Sequence, residues 1–219
     1  MTARMILPML FGLIGAAILI GLGTWQVQRL AWKQGVLAEI DARIAADPVP
    51  LPGPGGEWRY TPVRAEGRLT GESLRVLVSR KQVGAGYRRI AVLDVAGRRV
   101  LVDLGFVPEG EQVDLPQGPV TVIGNLHLPQ EVDSYTPAPD LAKGLWFARD
   151  VPAMAKALNT EPTLIIARAP VVDGIEPLPV DSSAIPNDHL GYAITWFSLA
   201  VVWLGMTVLY LWRIRRRTA

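Results

Sequence analysis

The stretch NDHLGYAITWFSLAVVWLGMTVLYLW, residues 187–212, decides how this chain is read. From residue 192 to 212 it carries no charged side chain. At ~1.5 Å per residue, a helix of that length reaches about 32 Å, enough to cross a bilayer core. Asn187, Asp188 and His189 stand just ahead of it, at headgroup depth. Residues 5–25 form a matching uncharged run near the other end. The expected fold class is a membrane protein with two transmembrane helices flanking an α+β, mainly antiparallel-β exported domain. The expected organisation is a tail at 1–4, a span at 5–25, a helical extension at 26–47, the exported domain at 48–188, a second span at 189–212 and a basic tail at 213–219.

The chain has 22 Lys and Arg against 20 Asp and Glu. Arg213, Arg215, Arg216 and Arg217 crowd its last residues, so the remainder is slightly acidic and offers no basic stripe for nucleic acid. Basic residues beside a span stay on the cytoplasmic side. Residues 171–188, on the other side of the second span, hold no Lys or Arg. Both termini are therefore expected in the cytoplasm and the central domain in the periplasm of a bacterial inner membrane. The first span is long and closes on Gly23-Thr24-Trp25-Gln26, which favours an uncleaved anchor over a signal peptide. With no cysteine, disulfides and thiolate metal sites are excluded.

Small residues run through the first span. Gly12-xxx-Ala16 and Ala17-xxx-Gly21 both permit close approach of another helix, with the second span as the natural partner. Leu30, Leu37, Ile40 and Ile44 continue a helical period until Asp47-Pro48. Residues 50–56 read as a Pro/Gly linker. Strands are expected at 60–69, 74–80, 87–95, 98–107, 119–128 and 163–168, with a hairpin turn at Val95-Ala96-Gly97-Arg98. Their spacing suits an antiparallel sheet or partly closed barrel. Asp150 is placed to cap a short helix over 151–158, with Pro152 in its first turn.

Catalytic signatures are absent: there is no GxSxG, no HExxH and no phosphate loop, so no enzyme is expected. Glu131 and Asp133 alone make a weak case for glycoside chemistry. Of the two histidines, His127 alternates in a strand and reads as structural. His189 is different. On a helix, His189, Tyr192, Trp196, Leu199, Trp203 and Tyr210 share one face. A histidine above an aromatic stripe beside lipid can ligate haem iron, with Tyr192 and Trp196 flanking the macrocycle. Arg29 and Lys33, just past the first span, can neutralise propionates. An interfacial aromatic belt accounts equally for Trp25 and Trp32, and Trp203 can simply pack against the first span.

At these residues the chain resembles the surfeit locus protein 1 family of cytochrome c oxidase assembly factors. The segments that carry the resemblance are Leu22-Gly23-Thr24-Trp25-Gln26-Val27-Gln28-Arg29 with Trp32-Lys33, and residues 187–197. Residues 100–108 and Trp146, Asp150, Met154 and Ala155 add to it. Two departures stand out. Leu104 and Phe106 occupy positions where the family usually has arginine and tryptophan, and Asp188 replaces a second asparagine. The resemblance implies a chaperone-like role in respiratory-chain biogenesis. It implies haem a as the cofactor, His189 as its metal ligand, and Trp25, Arg29, Lys33, Tyr192 and Trp196 around it. Cytochrome c oxidase subunit I, haem A synthase and membrane lipid are the implied partners, with no nucleic acid. A cofactor-free membrane scaffold for an oxidase intermediate is the alternative. Copper delivery fits poorly, since the chain lacks cysteine and clusters no methionine beyond its N-terminal end.

Overall fold

The structure is a computed structural model that describes residues 3–56, 58–183 and 185–218. Met1, Thr2 and Ala219 of the expected tails lie outside the described residues, as does the side chain of Arg217. The chain divides into two units, residues 1–39 with 183–219, and residues 40–182.

The first unit is a pair of helices. Helix α1 runs Ala3–Ala45, its last turns belonging to the second unit, and helix α3 runs His189–Thr218. Both are long and apolar enough to cross a membrane by length and composition. They pack antiparallel, since Gly12 lies against Thr207, Gly15 against Trp203, and Gly23 against Phe197. Glycine at those three positions lets a ring or a branched side chain sit where a Cβ would otherwise stand. Ala16, Ala193 and Ala200 are buried along the same seam. Of the two small-residue motifs, only Gly12-xxx-Ala16 takes part. Gly21 has no neighbour within 4 Å and Ala17 is exposed, so Ala17-xxx-Gly21 faces outward. Thr24, Thr195 and Thr207 satisfy their hydroxyls by donating to the carbonyls of Ile20, Gly191 and Trp203 in the preceding turn.

The second unit is built on strands β1 (Val49–Pro50), β2 (Pro62–Arg80), β3 (Gly84–Val95), β4 (Arg98–Pro108), β5 (Gly118–Leu126), β6 (Leu145–Trp146) and β7 (Leu164–Ala167), with helix α2 at Val151–Leu158. The two strands expected at 60–69 and 74–80 are one long strand, β2, bent where its pairing with β3 shifts register between Leu69 and Ser73. Gly71 supplies the bend with a φ of 87°. Residues 62–69 of β2 pair with β5, and residues from 68 onward pair with β3. The order β2-β3-β4-β7-β5 therefore returns to β2 and closes a ring. The expected mainly antiparallel pairing holds for the long β2–β3, β3–β4 and β2–β5 ladders, but the sheet is not purely antiparallel. The β1–β2, β2–β6 and β4–β7 pairs are parallel, so the sheet is mixed. The parallel β4–β7 pair arises because α2 lies between β5 and β7 and returns the chain in the direction of β4.

Alternate residues point to opposite faces of the strands, and both faces find cover. Val63, Ala65, Leu93, Val100, Val102, Val122 and Ile165 form one core cluster. Leu74, Val76, Ile90, Leu101, Leu164 and Ile166 form a second, sealed by Trp146 and by Val151, Met154 and Ala155 of α2. Helix α2 starts as expected, with Asp150 accepting a hydrogen bond from the Ala153 N–H. The β3–β4 hairpin turns on Ala96 and Gly97, whose φ values of 51° and 85° give the paired left-handed geometry of a tight hairpin.

Candidate functional site

His189 is the first residue of α3, and its backbone starts a helix whose first turn is closed by the Tyr192 N–H donating to the Asp188 carbonyl. Its imidazole Nδ1 lies 2.8 Å from Oε1 of Gln26 on α1. Gln26 is only 8% exposed, on the same seam as Gly12, Ala16 and Gly23. An amide oxygen accepts and never donates, so it can pair only with a protonated Nδ1, and the contact leaves Nε2 free of Gln26. The ring's recorded partner is thus Gln26, rather than the neighbouring Asp188. Near it, Oδ1 of Asn187 is buried without a hydrogen-bond partner among the described residues.

The remaining site residues divide. Trp196 and Trp203 turn partly into the seam, where Trp203 donates its indole N–H to the Gly12 carbonyl at 2.9 Å. Tyr192, Leu199 and Tyr210 stay outside, Tyr192 being 57% exposed. The expected single stripe is therefore split between the helix contact and the outer surface. Trp25 is 54% exposed. Arg29 stacks its guanidinium over the Trp32 ring at 3.9 Å from the centroid, and Lys33 is half-buried. Helix geometry puts Arg29 and Lys33 roughly one and two turns beyond Gln26, on nearly its face. Gln26 was not singled out by the sequence, although an amide three residues after Gly23, in step with the small-residue seam as Gln28 is not, is the signal that marks it.

The donor chemistry limits what this site can hold. Among the described residues no three His, Cys, Asp or Glu side chains gather to bind a metal ion. A bare transition ion asks the protein for three or four donors. Haem supplies four equatorial nitrogens itself and asks for one axial imidazole. A single imidazole meets what haem asks of a protein and falls short of what a bare ion asks.

The second unit holds a different polar cluster, missed in the sequence. Asp103, 1% exposed, lies in the otherwise apolar β4. Its carboxylate accepts from Arg88 Nη1 at 2.5 Å, Arg149 Nη1 at 3.3 Å and the Gly105 N–H at 3.1 Å. Arg149 also pairs with Glu131. Burial pushes the Asp103 carboxyl up, against the pull of both guanidinium groups. Burial would likewise raise Glu131, but the hydrogen bonds and charge of Arg149 hold it below the usual carboxylate range. Glu131 is thus an ion-pair partner, and Asp133 accepts from the Tyr135 N–H and Thr136 hydroxyl in a local turn. Each carboxylate is thus engaged by its own partners rather than by the other.

His127 follows β5 and stacks on Tyr60 with ring centroids 5.3 Å apart. It lines an open cleft of about 640 Å³ with Arg43, Trp58 and Arg59. Burial, and then the charges of Arg149 and Arg59, push its pKa down to about 4. An unfolded histidine titrates near ~6.5. A folded pKa below that means stability is fully present above about pH 6.5 and is lost as pH falls toward about 4. Thermal melts of the detergent-solubilised protein should therefore fall over that window. His127→Phe, which keeps the stacking and removes the titrating group, is expected to flatten the fall above pH 4.5. An unchanged slope would assign the acid sensitivity to another group.

Comparison with known proteins follows the same lines. The chain matches the model of the SURF1 family over residues 13–201. It is 30% identical to Surfeit locus protein 1 of Rattus norvegicus, over 88% of this chain and 70% of that protein. It is also 30% identical to Surfeit locus protein 1 of Homo sapiens, over 88% and 72%. A SURF1-like protein of Rickettsia felis is 28% identical over 90% of this chain and 94% of its own length.

Proposed function

Since the chain belongs to the SURF1 family, we propose that it is a membrane-bound assembly factor for haem–copper cytochrome c oxidase. In this reading it binds haem a as cargo and aids its insertion into subunit I. The observation that carries the reading is the His189–Gln26 pair, which leaves one oriented imidazole nitrogen at the start of an apolar helix. His189 would hold the haem iron through its imidazole. Trp25 and Tyr192 are exposed on the two helices near it and offer flat apolar surface to the macrocycle. Arg29 and Lys33 neutralise propionates, one or two turns further along α1. Haem brings the iron and its redox chemistry; the protein binds, orients and releases it. One axial imidazole holds it less firmly than two, which suits transfer, and no step requires an enzyme.

The helix pair supports a membrane location. Leu190, Ile194, Val201, Val202, Val208 and Leu209 are all exposed on α3, a broad apolar surface that water disfavours and lipid accepts. Arginines 213, 215 and 216 at the end of α3 support a reading with that end in the cytoplasm and the central domain in the periplasm of a bacterial inner membrane. Subunit I is the partner that receives haem, and haem A synthase is the partner that supplies it. The same outward apolar surface favours a second reading, a cofactor-free scaffold that docks helices of subunit I and stabilises an intermediate.

Absorption spectra of the detergent-purified protein from cells making haem A separate the two. One haem per chain is expected in the wild type, with a loss of at least tenfold in affinity or a shifted spectrum in His189→Ala. Equal binding by both proteins would move the ligand elsewhere. No haem in either, with an oxidase defect on deletion, would leave the scaffold.

A further inference from the structure

We infer that Gln26 is a positioning residue that selects the tautomer of His189, so that Nε2 and not Nδ1 faces the ligand. The consequence for haem rests on the proposed role of His189; the tautomer itself does not.

A buried primary amide in an apolar helix seam is costly unless it is hydrogen-bonded. Gln26 is 8% exposed, and its recorded side-chain partner is the His189 ring, contributed by a residue 163 positions away. Neutral imidazole has one N–H and one lone pair. Free neutral histidine favours the proton on Nε2, the nitrogen remote from the backbone, which would block the atom best placed to reach iron. With Oε1 of Gln26 at 2.8 Å from Nδ1, that preference is reversed: Nδ1 keeps the proton and Nε2 carries the lone pair. The same bond fixes the plane of the ring, because α1 and α3 are locked by the Gly12, Gly15 and Gly23 contacts on the same seam. A ligand histidine is generally oriented by such an outer partner on its second nitrogen. Here that partner is an amide. It holds the Nδ1–H without the full negative charge that would make the imidazole a stronger donor, and a softer bond to iron suits a protein that must release its cargo.

The test needs no haem at the start. The chain has two histidines, so ¹⁵N-histidine labelling of the full-length protein in detergent gives two ring systems, with His189→Ala assigning the second. At pH 8 the wild type is expected to show His189 with a protonated Nδ1 and a pyridine-like Nε2. Gln26→Leu should return the ring to the Nε2–H form, and Gln26→Glu, which keeps an acceptor, should preserve Nδ1–H. A wild-type Nε2–H tautomer, or one unchanged in Gln26→Leu, overturns the inference, and the wild-type spectrum alone decides if the variants misfold. Haem binding is then measured on the same proteins. Gln26→Leu should bind 10- to 100-fold more weakly, whereas Gln26→Glu should bind and show a lower iron reduction potential. If wild type shows the expected tautomer but takes up no haem, the haem reading fails and the positioning role stands. If it binds haem with affinity and potential indifferent to both variants, the positioning role fails and the haem reading stands.

Discussion

Asp103→Ala is expected to cost about 3–5 kcal/mol of stability, because it strands a buried cation. The wild-type carboxylate is matched by two guanidinium groups and one backbone N–H. Removing it does not affect the two arginines equally. Arg149 keeps its ion pair with Glu131, whereas Arg88 has no other ion pair among the described residues. The Arg88 side chain is only 16% exposed, so it cannot recover full hydration without moving β3. The carboxyl also holds the Gly105 N–H, next to the point where β3 and β4 shift register, and the alanine leaves that donor without its partner. Stabilities of this size are a large share of the ~5–15 kcal/mol that holds a domain folded. The double variant Asp103→Leu, Arg88→Met should recover most of the loss, since well-packed apolar replacements of buried ion pairs are often neutral. A thermodynamic cycle on the two singles and the double checks this. A double variant as unstable as Asp103→Ala would mean that the loss comes from β4 packing rather than from charge.

This cluster also shows where sequence reading stops. A lone aspartate in the apolar run 100–107 was visible, but its partners lie 15 and 46 residues away and are delivered by strand pairing. Elements with local causes were legible. Asp150 caps α2 through its own side chain, and Ala96-Gly97 makes a turn that needs nothing from the rest of the chain. The closed ring was not, because one strand serves two neighbours only after bending at Gly71, and the choice of β5 as second neighbour is non-local. The parallel β4–β7 pair has the same origin. In the helix pair, His189 announced itself as the one imidazole beside an apolar span. Which nitrogen it offers depends on Gln26, and no periodicity in α3 reports that. Likewise, helical period alone gave one aromatic face; the structure divides it because only one of its rings, Trp203, meets a glycine on α1.

Gly15→Leu is expected to separate α1 from α3, while Gly21→Leu should leave them paired. A Cβ at residue 15 would stand 2.5 Å from Trp203 Cε2 and 2.6 Å from its Nε1. The indole cannot swing away freely, because its N–H donates to the Gly12 carbonyl and its ring packs on Phe11 at 5.4 Å. Overpacking of this kind costs roughly 1–3 kcal/mol, about a 5- to 150-fold fall in the pairing equilibrium. In a lipid environment there is little hydrophobic drive to restore the contact, since lipid chains are as apolar as the helix surface. Gly21 has nothing within 4 Å, so leucine there meets only the surroundings. The absence of cysteine makes the measurement clean: a Gly12→Cys, Thr207→Cys pair should cross-link on oxidation, because cysteine at 207 removes the branched atoms that a Cβ at residue 12 would meet, and a small outward shift from 3.0 Å reaches the ~3.5–4.5 Å Cβ separation of a disulfide. Cross-linking lost with Gly15→Leu and kept with Gly21→Leu would identify the seam as the contact. Equal cross-linking in both would mean that Trp203 can vacate its place at little cost. Because Gln26 and His189 meet on this seam, the loosened variant should also lose the Nδ1–H signature of His189, though neither residue has been altered. Ring orientation and helix packing would then be one property of the pair, set as much by a glycine three turns away as by the amide that touches the imidazole.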